Sequence, residues 1–93
     1  MKLPINYTRI GARERREVRE EYIRIQDGKC WWCENALTDN PTTEIMDTDV
    51  NRRLFPPNFF KHPVHLQHDH DTGMTEGAVH ARCNAVMWQY HGK

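Results

Sequence analysis

The chain has 93 residues, 38% hydrophobic and 28% charged, with as many Lys and Arg as Asp and Glu. A domain of this length buries only a modest core, so three cysteines and six histidines point to a structural metal as a second source of stability. The odd cysteine count excludes a fully paired disulfide framework, no stretch is long enough to span a membrane, and zero net charge argues against a uniformly basic nucleic-acid surface. The start, MKLPINYTRIGARERR, lacks the apolar h-region of a signal peptide, so a reducing cytoplasm is the expected setting.

Residues 1–10, with Pro4, read as extended. Residues 12–27 read as a helix, with Val18, Tyr22 and Ile25 at i, i+4, i+7 and Arg and Glu elsewhere. Glu20 and Arg24 form an i, i+4 pair in the favourable order, and Gly28 suits a left-handed residue just past the helix. Residues 1–29 carry eight Lys or Arg against five Asp or Glu, a basic excess that fits a nucleic-acid-facing surface and an ordinary solvated helix face equally.

CWWCENA follows as a tight turn from Cys30, with Trp31 and Trp32 expected to pack rather than stack on a ligand. The stretch 34–63, which includes TDNPTT and FPPNFFKHP, reads as a long loop with little regular structure. Its apolar residues Ile45, Met46, Leu54, Phe55, Phe59 and Phe60 are expected to fold back onto the core. Residues 64–80 read as a β-hairpin turning at 71–73, and residues 81–90 as a second helix with Val86 and Tyr90 four apart. The expectation is a single α+β domain over 1–93.

Two pairs of metal-ligand type share one spacing: Cys30-x2-Cys33, and far downstream His80-x2-Cys83. A C-x2-C turn offers two thiolates from one knuckle. Residues i and i+3 at a helix start offer two ligands from one face. Together they make a closed, tetrahedral Cys3His set suited to structural zinc, Zn2+. His80 is the least constrained member, and His62, His65 or His91 could stand in its place.

Between the pairs runs Leu66-Gln67-His68-Asp69-His70-Asp71-Thr72-Gly73, and Asn84 follows Cys83 directly. The run LQHDHDTGMTEGAVHARCN, with the upstream C-x2-C, resembles the HNH nucleases, specifically their recombination endonuclease VII branch. The resemblance covers residues 30–33 and 66–84. It implies a zinc-stapled ββα-metal, treble-clef-like domain acting on DNA through one divalent cation, Mg2+ or Mn2+. By position in the motif, His68 corresponds to the general base and His70 to a phosphate-contacting histidine. Asn84 corresponds to a ligand of the catalytic metal. Gln67 stands where that branch carries an acidic metal ligand, and Asp69, two residues along the strand, is placed to supply the charge. Glu76 and His80 are further departures, replacing a basic residue and a cysteine. The chemistry is coherent by itself, since phosphodiester hydrolysis needs a base near neutral pKa and a cation held by hard oxygens. A zinc module that binds nucleic acid or a protein without catalysis is the alternative. The sequence leaves the oligomeric state open.

Overall fold

Two short strands set the centre of the structure. In the computed structural model, which describes residues 1–92, β1 (Val64–His68) pairs antiparallel with β2 (Thr75–His80), with Val64 opposite His80 and Gln67 opposite Gly77. A bulge between Gln67 and His68 puts His68 opposite Thr75. The Asp69 carboxylate accepts from the N–H groups of Asp71 and Thr72 at 2.8 and 3.0 Å, which shapes the turn. Gly73 completes it in the left-handed region at φ 79.

The first helix, α1 (Ala12–Ile25), lies against the hairpin through the buried Val18 and Tyr22, and the Tyr22 hydroxyl sits 2.8 Å from Thr75 Oγ1. Ile25, expected on the same face, is 53% exposed. It is the last helical residue, the chain reverses just beyond it through Asp27 (φ 57) and Gly28 (φ 74), and Ile23 packs against the core instead. The helix therefore stops two residues short of the expected Asp27. The expected Glu20–Arg24 pair is replaced by Arg24 on Glu21.

Gln26, freed by this stop, covers the outer edge of β2. Its Oε1 accepts from Ala78 N–H at 2.8 Å, and its Nε2 donates to the carbonyls of Ala78 and Lys29 at 2.9 and 2.7 Å. Trp31 N–H donates to the same Ala78 carbonyl at 2.9 Å. The N-terminal segment covers the rest, with Ile5 O accepting from Thr75 N–H and Tyr7 N–H donating to Gly73 O. That segment is extended only as far as Asn6, and Tyr7–Arg9 form a 3-10 turn. An edge strand is thus shielded from pairing with another chain.

The 34–63 stretch is more regular than its composition implies. It holds α2 (Thr43–Asp47) and 3-10 turns at Arg52–Leu54 and Phe59–Lys61. The reason is tertiary. Helix α3 (Ala81–His91) presents Arg82, whose guanidinium donates to the carbonyls of Ile45, Met46 and Thr48 at the end of α2. Gln89 and the Tyr90 hydroxyl donate to Asp49 O. Of the apolar residues expected in the core, Ile45 packs against it, whereas Met46 and Leu54 are exposed. Phe55, Phe59 and Phe60 form their own cluster with Trp88. The main core comprises Ile10, Val18, Tyr22, Cys30, Leu37, Leu66, Ala78, Val79, Cys83 and Met87. Among the described residues, no helix is long and apolar enough to cross a membrane.

Candidate functional site

Two polar centres flank the hairpin. The first gathers the four residues that the spacing singled out. Cys30 opens the knuckle, where the N–H groups of Trp32 and Cys33 point at its sulfur from 3.4 and 3.5 Å. Glu34, at φ 70, closes the turn. His80 is both the last residue of β2 and the N-cap of α3, so Cys83 lies one turn on. His80 Nδ1 sits 3.4 Å from Cys33 Sγ and 3.6 Å from Cys83 Sγ, and all four ligand atoms lie within 4.8 Å of one another. A tetrahedral zinc with bonds of about 2.3 Å to sulfur and about 2.0 Å to nitrogen sets an S···N separation of about 3.5 Å, so the group could bind zinc with little movement.

The other face of the His80 ring supports this. Its Nε2 lies 2.9 Å from the carbonyls of Ala36 and Asp39, which can only accept, so Nε2 carries the proton and Nδ1 offers its lone pair to the ligand cluster. The cysteines share charge unequally. The hydrogen bond from Cys83, helped by the surrounding N–H groups, draws the Cys30 thiol down to about 4. The same hydrogen bond, together with burial, pushes the Cys83 thiol up. Neither His62, His65 nor His91 takes the place of His80 in this cluster.

The second centre is an open hollow of about 550 Å³ between α1, β1, α3 and the aromatic cluster. His68, His70 and Asn84 all line it, together with Tyr7, Arg15, Arg19, His62 and His65, while Phe55, Phe59 and Trp88 form an apolar wall. The His68 ring stacks on Tyr7 at 4.0 Å and 6°. The Arg15 guanidinium lies 3.8 Å from the same ring centroid and donates to Tyr7 O. Two groups this close cannot share one face, so Tyr7 is sandwiched between them. Burial holds the His68 imidazole below its ordinary pKa, and the positive charges of His70 and Arg15 act in the same direction.

The expected set for a catalytic metal, Gln67, Asp69 and Asn84, does not line the hollow as a set. Only Asn84 lines the hollow. Gln67 is 1% exposed, and its amide donates to His68 O at 3.0 Å and reaches Glu76 at 3.4 Å. Asp69 is engaged in the turn. Among the described residues, no carboxylate lines the hollow. Asn84 instead meets His65, with Nδ2 3.1 Å from Nδ1, while His65 Nε2 lies 2.8 Å from Phe59 O. Sequence reasoning missed His65 as a partner for Asn84. Counting by two back from Gln67 along the strand, the rule that brought in Asp69, would have reached it. It also missed Tyr7, Arg15 and Arg19: the two arginines each stand three residues before a buried member of the inward helix face, Val18 and Tyr22, a spacing that marks them as flanking it, whereas nothing in the N-terminal segment marks Tyr7. Searches against protein-family models, curated proteins and solved structures return no match to this chain.

Proposed function

We propose that this chain is a DNA endonuclease of the HNH kind, on a zinc-stapled ββα-metal, treble-clef-like scaffold, and that His68 is its general base. The observation that carries the reading is that His68, His70 and Asn84 line one hollow with Arg15 and Arg19. An imidazole held neutral can accept a proton from water at physiological pH. Its stack on Tyr7 fixes the ring plane, so the accepting nitrogen keeps one direction. The two guanidiniums supply positive charge for a phosphate and for the charge that grows on it during attack, and His70 borders the same space.

The residues that the resemblance assigns to Mg2+ or Mn2+ do not fit as a set, since only Asn84 borders the hollow. The chain's own groups account for base catalysis and phosphate binding. A divalent cation remains part of the nuclease reading through the dependence it predicts.

The test is nicking of supercoiled plasmid by pure protein in Mg2+, Mn2+ or EDTA. Wild type is expected to nick in a divalent cation and not in EDTA. His68→Ala is expected to slow nicking by ~10²–10⁴-fold with an unchanged melting curve. The absence of carboxylates from the described lining of the hollow favours a second reading, a non-catalytic zinc module that binds nucleic acid. Binding of DNA by wild type with no cleavage under any cation would establish that reading instead.

A further inference from the structure

We propose that Phe55, Phe59 and Trp88 form a stacking site for an unpaired nucleobase, so that the hollow takes single-stranded DNA in preference to duplex. The proposal rests on the endonuclease reading for the ligand being DNA, and on the aromatic wall for the form that the DNA takes.

The wall is braced from several elements. Trp88 follows Asn84 by four residues on α3, so the two share one face of the helix. The Phe55 ring lies 5.4 Å from Trp88, edge to face, and 4.7 Å from Phe59. His65 fastens Phe59 to β1, with Nε2 2.8 Å from Phe59 O and its ring edge to face with the phenyl at 4.6 Å. Asn84 holds the other nitrogen of that imidazole at 3.1 Å. The rings are thus fixed before a ligand arrives, and little side-chain freedom is left to lose on binding. Even so, Trp88 is 43% exposed, and Leu54 in the same lining is 48% exposed. Apolar surface left open along a cleft marks a place of contact.

The charge around the wall selects the occupant. Arg15 and Arg19 line the hollow with it, and among the described residues no carboxylate does. Arg52 lies over the Phe60 ring, 4.2 Å from its centroid, and Phe60 abuts both Phe55 and Phe59. Guanidiniums beside aromatic faces suit a ligand that joins phosphates to flat π-systems, which is a nucleic-acid strand. An apolar peptide would leave the arginines without partners. In duplex DNA the face of each base is covered by its neighbours, so only an unpaired base offers a face to Trp88 or Phe55. The hollow, at about 550 Å³, has the size of sites that enclose a small molecule, ~300–1,000 Å³, and so admits a nucleotide. Charge alone would favour the duplex, where phosphates are denser than on a single strand. A preference for the single strand therefore isolates the part played by stacking. Negative supercoiling opens a duplex locally, so a supercoiled plasmid also offers such strands.

The experiment measures fluorescence anisotropy of three labelled ligands with zinc-loaded protein, without added Mg2+ or Mn2+. They are an oligothymidylate, the same strand built without bases, and a duplex of equal length. Wild type is expected to bind the oligothymidylate about tenfold more tightly than either of the others. Trp88→Leu keeps an apolar side chain but loses the π-face, and is expected to bring the oligothymidylate level with the baseless strand. Trp88→Phe is expected to retain most of the preference, with zinc content and melting curve confirming the fold of both variants. Arg19→Gln is expected to weaken binding of all three ligands and to flatten its salt dependence. Equal affinity of wild type for the three ligands, tighter binding of the duplex, or no binding at all would overturn the site, and this comparison needs no variant to fold. An undiminished preference in a folded Trp88→Leu protein would overturn it too. Cleavage is assayed separately in Mg2+ and Mn2+. A Trp88-dependent preference without cleavage supports the stacking site and removes the endonuclease reading. Cleavage by a protein with no preference for the single strand removes the stacking site and keeps that reading.

Discussion

His68 and Gly77 show how single positions carry the design. Burial, His70 and Arg15 hold the His68 pKa below its ordinary 6.5, and burial does the same at His65. Between the lowered value and 6.5 the unfolded chain binds more protons than the folded one. Stability should therefore rise with pH across that window and be lost as pH falls through it. His70→Ala removes one neighbouring charge, so the His68 pKa should move up. Ring-proton shifts in an NMR titration measure this directly, and a stationary or falling pKa would show that the His70 charge does not reach the ring. At Gly77 a methyl group would sit 2.6 Å from Trp31 Cγ, 2.7 Å from its Cβ and 2.8 Å from Gln26 Oε1. The tryptophan atoms lie at the root of the side chain and cannot swing aside. Gly77→Ala should destabilise by ~1–3 kcal/mol in urea unfolding, and Trp31→Ala in the same chain should recover part of the loss. At this scale the Cys3His group, which could bind zinc, was legible, because two x2-spaced Cys and His pairs seldom occur in so short a chain without a metal to bind. The pairing of His65 was not, because the period-two count that reaches it along the strand says nothing of Phe59 and Asn84 lying on either side of it.

The elements themselves were legible where periodicity speaks. The hairpin and both long helices fall within two residues of their expected ends, since apolar spacing and turn residues are local signals. The five residues of α2 gave no such signal. So short a helix has almost no stability of its own, and the Arg82 guanidinium that caps it comes from a different element. The aromatic cluster stands apart from the core for a related reason: composition marks a residue as apolar without saying which surface it will cover. Gln26 links these elements most economically, as one amide joins the end of α1 to the buried edge of β2. Gln26→Ala would leave Ala78 N–H, in a fully buried residue, without its acceptor, while Ala78 O keeps the donor Trp31. The loss should be ~1–3 kcal/mol. Gln26→Glu keeps that acceptor but turns its second oxygen onto the carbonyls of Lys29 and Ala78, so it should lose less than Gln26→Ala only at a pH low enough to protonate the carboxyl, and equal urea midpoints for the two variants there would refute this assignment of the bond.

Across the whole molecule, the Cys3His group joins the knuckle to the end of β2 and the start of α3. Much of the core surrounds it, and Cys30 and Cys83 are themselves core residues. Purified protein should hold one zinc per chain by elemental analysis. Removal of the metal by a chelator, or Cys83→Ala, should abolish cooperative melting, since ligand binding and folding are one event in such a site. A metal-free chain that still melts in a sharp transition would show that the core suffices alone. A single ion held by this group would also make a ring of the chain between Cys33 and His80. The entropy of closing a flexible ring grows only with the logarithm of its length, and doubling it adds about 0.6 kcal/mol. The stretch that walls the hollow with Phe55 and Phe59 lies inside that ring. It can therefore lengthen or change its sequence with little effect on the clasp that holds it, and the lining of the hollow is free to diversify on a scaffold that stays fixed.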